Sequence, residues 1–420
     1  MLSKLTDVIA QSGMWNGQRA ESHAFLLSPS VYTLTQAQEQ ELSSLGIALY
    51  DCLFGLSHIA VIAYDRGLNY RGPWFLARTV FSTGVPKIYQ ALQGMNPKHI
   101  PQLLKLDLMV DQSGAFKIAE IDGHNKHGVG YSTLGMRFRE ALYPDAKALP
   151  GTVSAIVEEM KRQGHTELKL FYSDQERFYI PEFEVAGQEF KKYGINCRIV
   201  SEITADSKFM QRGLFLDLPF LNKRNKLYQD IIPAYCSGNV QFIIPPKPFL
   251  GAKGVLALLR NDTEDERLES LLQSFIKKQS LELVRSYIPE TLLVGKGMSH
   301  SDVIKNRLTQ KRYVLKKSIS SGMKGTIFSD SDAFAAAFAQ ASETKMDWIL
   351  QEEVTNQPQL FSWFEKESGT GHELHTSHDW FMRVTVQYVR RKLADVIITA
   401  RRDKSVHGAK DSLQLGTMIV

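Results

Sequence analysis

Residues 47–64 form the most apolar long run in the chain, yet the run contains Asp51 and His58. A membrane span of about 20 residues rarely tolerates both, so the run predicts a long helix buried in a protein core. Apolar residues recur at helical spacing over 36–64, which sets the extent of that helix. A chain of 420 residues exceeds what one ordinary core serves, so two or three packed subdomains are expected. The N-terminus lacks the apolar core of a signal peptide. Cys52, Cys197 and Cys236 are widely spaced and odd in number, offering neither a disulfide framework nor a zinc site. The expectation is a soluble cytoplasmic protein with no membrane partner.

The formal charge of +5 is mild for this length, and Lys and Arg form no stripe of the kind a nucleic-acid binder concentrates. Nucleic acid is therefore not expected as a partner. The excess fits cations facing an anionic small molecule, and an ordinary solvated surface equally well.

Residues 1–100 read as mostly helical. Residues 103–110 read as a strand, 111–114 as a turn and 116–121 as the hairpin partner, leading into the polar loop Asp122-Gly123-His124-Asn125. Glycine freedom beside polar side chains is a common setting for ligand chemistry. From 151 to 245 the pattern becomes helix, strand, helix, strand, with strands at 168–172, 197–200 and 214–218. That implies a small parallel sheet in its own α/β subdomain. Further on come an amphipathic helix at 265–278, strands at 312–317 and 326–328, and a helix to 341 capped by Asp330 or Asp332. A strand at 348–354 and an antiparallel pair at 381–388 and 393–400 complete the pattern.

Four segments carry chemistry. In Tyr-Val-Leu-Lys-Lys-Ser-Ile-Ser-Ser-Gly-Met-Lys-Gly, residues 313–325, a strand delivers Lys316 beside a small-residue loop whose N–H groups could wrap phosphate oxygens. The spacing of a P-loop is absent, and a plain exposed hairpin with basic decoration fits these residues as well. Trp-Ile-Leu-Gln-Glu-Glu-Val, residues 348–354, could offer backbone groups to an adenine edge and a carboxylate to ribose hydroxyls. Pro-Lys-Pro-Phe-Leu-Gly-Ala-Lys-Gly-Val-Leu, residues 246–256, brings Lys253 to a helix start. Lys-Ile-Ala-Glu-Ile-Asp-Gly-His-Asn, residues 117–125, follows Leu-Lys-Leu-Asp-Leu-Met at 104–109 and projects Glu120 and Asp122 from the same side of a strand.

In this order the segments resemble the ATP-grasp ligases. The permuted arrangement, acidic hairpin first, is similar to eukaryotic-type glutathione synthetases and more distantly to glutathionylspermidine synthases. The resemblance covers roughly residues 100–420. It implies an α+β and α/β architecture: an ATP-grasp fold of two α+β lobes clamping ATP, an inserted small parallel-sheet substrate subdomain, and a helical N-terminal region. The segments it implies are 1–100, 101–150 with the metal-binding hairpin, 151–245 as substrate subdomain, 246–355 as the lysine-strand lobe, and 356–420 as the rest of the core.

The function implied is an ATP-dependent ligase joining a small-molecule carboxylate to an amine through an acyl phosphate, with ATP and Mg²⁺ as cofactors. The synthetases it resembles are often homodimers. By resemblance Lys253 and Lys316 meet the phosphates, and Ser320, Ser321 and Gly322 form the phosphate loop. Gln351, Glu352, Glu353, Val354 and Lys404 complete the nucleotide site, and Glu120 and Asp122 hold Mg²⁺. Lys105, His124, Asn125 and His127 fall where the acid is contacted. Arg383, Arg402 and Lys316 are the catalytic cations, and 406–411 matches a closing loop. Two departures stand out: Ser320 replaces a metal-binding Glu, and Glu-x-Asp replaces Glu-x-Asn. The second partly restores the negative charge, while Ser320 favours the alternative of a degenerate module that binds nucleotide without ligase activity. An unrelated kinase acting on a small alcohol is a further alternative.

Overall fold

The structure, a computed structural model, describes residues 1–16, 24–66, 72–220, 226–296, 310–320, 323–366 and 372–420. It is a mixed α/β protein, and the described residues form three sheets of four or more strands. The largest runs in the order Ser412–Leu415, Lys392–Arg401, His372–Val389, Leu103–Val110, Phe116–Asp122, with Gln359–Lys366 added along His372–Val389. All of its pairings are antiparallel. Segments 101–150 and 356–420, far apart in sequence, thus build one sheet.

This sheet is sharply two-faced, as alternation along a strand requires. Leu104, Leu106 and Leu108, with Val384, Val386, Tyr388, Val396 and Ile398, point into the main core. The alternate residues, Lys105, Asp107, Arg383, Thr385, Gln387 and Thr399, make the other face polar. Strict alternation would place Ile118, Glu120 and Asp122 together. The register instead slips between Asp107 and Leu108, leaving Ala119 as a bulge. Ile118 therefore stays in the core while Glu120 and Asp122 join the polar face.

The apolar face is covered by the helix Gln36–Arg66, 31 residues long. Leu42, Leu45, Leu49, Leu53, Leu56, Ala60 and Ala63 recur at helical spacing and are all buried, each leucine contributing roughly 2 kcal/mol by leaving water. Gly46 permits the approach: a Cβ there would lie 2.3 Å from the Tyr388 ring, whose hydroxyl donates to Leu42 O at 2.8 Å. By length and composition this helix could cross a membrane, but 72% of its most apolar stretch is buried inside the fold. Asp51 is carried within it by Arg391 at 2.6 Å and Lys277 at 3.1 Å.

A second sheet, ordered Thr326–Phe328, Tyr313–Lys317, Trp348–Glu352, Thr291–Val294, is antiparallel throughout. The third, ordered Asn196–Ser201, Glu167–Tyr172, Gly213–Phe215, Val240–Phe242, is all parallel, as the alternating helix and strand pattern predicted.

Three local expectations change. The N-terminal region is not purely helical, because Tyr32–Leu34 pairs in parallel with Thr417–Ile419. The helix expected over 265–278 ends at Phe275, and a second begins at Lys278. Between them Ile276 turns extended and buries beneath Gly55. The helix Phe334–Ser342 lacks the expected aspartate cap, since its N-cap position falls on Ala333, past both Asp330 and Asp332.

Candidate functional site

The polar face of the large sheet looks onto one face of the lysine-bearing sheet, and two cavities lie along this junction. The first, about 300 Å³, is lined by Val314 and Lys316 from one strand, Thr326 and Phe328 from its hairpin partner, and Gln351 from the next. Those positions share a face because Lys316 pairs with Thr326 and Val314 with both Phe328 and Gln351. The opposite wall brings Asp107, Glu120, Lys253 and Arg383. The second cavity, about 400 Å³, holds Lys105, Asp122, Asn125, His127 and Ser320. Asp107, Glu120 and Arg383 line both, so the cavities meet at these three side chains.

Lys253 Nζ donates to Glu120 Oε1 at 3.0 Å and to Ser320 O at 3.2 Å. Lys316 Nζ donates to Gln351 Oε1 at 2.6 Å and reaches the bulged Ala119 carbonyl at 3.4 Å. Burial, reinforced by the neighbouring Lys253 charge, pushes the Lys316 ammonium down to about 8, against the pull of Glu120 and Asp107. Burial also raises the Glu120 carboxyl, with Lys253 opposing. This lysine pair in a partly dehydrated cleft is suited to an anion, which would favour both charges.

The loop after the acidic strand is held as a unit. Asp122 accepts from Lys105 Nζ at 2.8 Å, Asn125 Nδ2 at 2.7 Å and His124 N at 3.2 Å. Burial works against its ionisation, but Lys105 and His124 together outweigh burial and the carboxyl titrates below its ordinary value. Asn125 Oδ1 takes Lys105 Nζ at 2.8 Å and His127 N at 3.0 Å. Behind it Lys126, fully buried, bridges Glu176 at 2.9 Å and Asp217 at 3.0 Å, tying the loop to segments beside the parallel sheet.

Most residues singled out in the sequence line one cavity or the other. Lys253, Lys316, Gln351, Glu352, Glu353, Val354 and Lys404 line the first, and Lys105, Asp122, Asn125, His127 and Ser320 the second. The segment after Lys404 runs along both, with Ser405 and Val406 on the first and His407 and Gly408 on the second. Ser321 and Gly322 lie outside the described residues.

At four positions the geometry differs from the expected contact. Arg402 lines neither cavity, because its guanidinium sits over Trp363 at 5.0 Å and Trp380 at 5.4 Å. His124 is drawn to Phe220, ring centroids 4.8 Å apart, and burial pushes its imidazolium down to about 4. The backbone N–H groups of Glu352 and Glu353 donate to Glu290 O and Arg312 O, so they are not open to a base edge. Asp122 is turned to Lys105, whereas Asp107 stands directly opposite Glu120 in the strand register. Asp107 accepts from Thr385 Oγ1 at 2.6 Å and faces Arg383 Nη1 at 3.5 Å. Its position two residues after Lys105 on the same strand was the available signal.

Among the described residues no group of three or more His, Cys, Asp or Glu side chains is arranged to hold a metal ion. The donor chemistry still fits magnesium, which takes one or two carboxylates and completes its shell with phosphate oxygens and water.

No protein-family model matches the chain, and no curated protein matches it significantly. Among solved structures, a glutathione synthetase-like effector (GSS30) from Globodera pallida in the apo form aligns over 100% of this chain and 96% of its own. The TM-score is 0.57 at 12% identity. A Methylobacillus flagellatus KT protein, provisionally named a gamma-glutamylcysteine synthetase, aligns over 82% and 87% with a TM-score of 0.37 and 12% identity, a likeness too slight to argue from. The chain therefore shares a glutathione synthetase-like fold.

Proposed function

We propose that this protein is an ATP-grasp ligase that uses ATP and magnesium to join a carboxylate to an amine, releasing ADP and phosphate. The observation that carries the reading is the meeting of two cavities at Asp107, Glu120 and Arg383, with Lys253 and Lys316 on the first. A triphosphate in the first cavity and an acid in the second would bring γ-phosphorus and carboxylate together at that junction.

A carboxylate is a poor acyl donor because its oxygen leaves badly. In this reading its oxygen attacks the γ-phosphorus, the bond to the β–γ bridging oxygen breaks, and ADP departs. The amine nitrogen then attacks the acyl carbon, the bond to phosphate breaks, and the nitrogen gives up a proton to bulk water or phosphate. Both steps gather negative charge, so cations fixed beforehand supply the stabilisation. Lys253 and Lys316 would hold the phosphates, Gln351 would orient Lys316, and Arg383 would face the carboxylate and the transferring phosphoryl group. Magnesium, held by Glu120 with Asp107, would neutralise charge on the phosphates. A reducing, ATP-supplied compartment such as the cytoplasm suits the three unpaired thiols.

Hydroxylamine provides the test, since an activated acyl group is trapped as a hydroxamate while a free carboxylate is not, and ADP as the co-product marks the acyl phosphate. Hydroxamate and ADP appearing together with a panel of acids supports the ligase. ATP hydrolysis without hydroxamate opposes it.

One observation favours a second reading, nucleotide binding without turnover. Ser320 stands where the resembled family places an acid, and its hydroxyl is turned back to Lys317 O at 3.1 Å. The neighbour of like fold is itself called an effector. ATP binding with no ADP from any acid would select this reading.

A further inference from the structure

The second cavity carries a feature that phosphoryl transfer does not use. Beside Lys105 and Arg383, its lining includes His127, Phe178 and Tyr179. The Tyr179 ring lies 3.8 Å from the His127 ring at an interplanar angle of 33°. His127 in turn stacks on Phe183 at 5.7 Å and 18°. Phe178 meets Tyr179 edge-on at 5.2 Å.

This wall is built rather than incidental. Phe178 and Tyr179 end the short 3-10 helix Asp174–Tyr179, whose start is fixed by a capping box between Ser173 and Glu176. Glu176 Oε2 takes Ser173 N at 2.9 Å, while Oε1 takes Lys126 Nζ at 2.9 Å and His127 Nε2 at 3.3 Å. One carboxylate therefore sets both the aromatic turn and the imidazole stacked on it. Rings already held need little ordering when a ligand arrives, so their contact area is retained as affinity. A volume of about 400 Å³ is in the range of a ligand well beyond a small amino acid.

We infer that the second cavity selects a carboxylate substrate bearing a planar aromatic group, packed against Tyr179 while its carboxylate faces Arg383. The inference rests on the ligase reading in taking this cavity as that of the acid, and it assigns substrate choice to the parallel-sheet subdomain. A flat ring gains edge or offset contacts with the aromatic lining that a puckered ring of similar size lacks.

Isothermal titration of the full chain compares 3-phenylpropanoate with 3-cyclohexylpropanoate. The phenyl acid is expected to bind roughly two- to tenfold more tightly. Tyr179→Leu removes that preference and Tyr179→Phe keeps it, with circular dichroism showing both variants folded. Equal binding of the two acids, binding of neither, or a preference that survives Tyr179→Leu overturns the inference. A parallel assay of ADP release separates the two claims. Aromatic selectivity without ADP release would leave the platform standing and remove the ligase. ADP release driven equally by aliphatic acids would do the reverse.

Discussion

Lys316 Nζ lies 3.4 Å from the carbonyl oxygen of Ala119, a residue 197 positions earlier. The contact exists because the acidic strand bulges at Ala119 and the lysine strand crosses its flank. It brings the two most chemically suggestive segments of the chain to a common cleft, with Lys253 joining from a third segment through Glu120 at 3.0 Å.

Lys316→Ala is expected to lower substrate-driven ADP release by about 10²–10³-fold, the usual cost of removing one fixed electrostatic donor. The far-UV spectrum should be unchanged, because the lysine serves the cleft and not the core. The buried ammonium titrates near 8 in the free protein. It is charged below that value and neutral above it, so affinity for ATP should fall as pH rises from 7 to 9. Titrations at several pH values in wild type and Lys316→Ala would show the dependence in the first and a weaker one in the second.

Glu120→Gln should raise the magnesium concentration needed for half-maximal ADP formation by on the order of tenfold or more. The substitution keeps the shape and removes the charge. An unaltered magnesium curve would take the acidic strand out of the site.

Arg402→Ala is expected to leave ADP formation within about twofold of wild type. Its guanidinium packs on Trp363 and Trp380, so the loss should appear as roughly 1 kcal/mol of stability. Arg383→Ala, by contrast, should depress ADP formation strongly. Denaturant melts beside activity assays on both variants check the assignment.

Lys126→Met should cost about 3–5 kcal/mol in chemical denaturation at pH 8, because Glu176 and Asp217 then remain buried without their cation. The deficit should shrink toward pH 5. Burial already lifts the Asp217 carboxyl to about 6 in the intact triad, and without Lys126 it rises further. A carboxyl raised above its unfolded value costs stability as pH increases, and protonation at low pH removes the cost.

The elements were legible wherever a local period was strong. The helix Gln36–Arg66, the hairpin from Leu103–Val110 to Phe116–Asp122 and the strands of the parallel sheet all follow from apolar spacing. What sequence reading missed depended on distant partners. Tyr32–Leu34 is a strand only because Thr417–Ile419 lies beside it. Ile276 interrupts a helical pattern because Gly55 leaves it a place to bury. Arg402 and Arg383 look alike in sequence, and neighbouring tryptophans decide which of them faces the cleft.

From its residues alone this chain was determined to carry an acidic hairpin, a lysine strand and a buried apolar helix, since each follows from short-range periodicity and side-chain chemistry. Tertiary structure decided that Asp107 stands opposite Glu120, that Asp122 is committed to Lys105, and that an aromatic turn flanks the second cavity. Those outcomes depend on strand register, one bulge and contacts across more than a hundred residues. Alternation within a single strand constrains none of these, because each is set by which strand lies alongside.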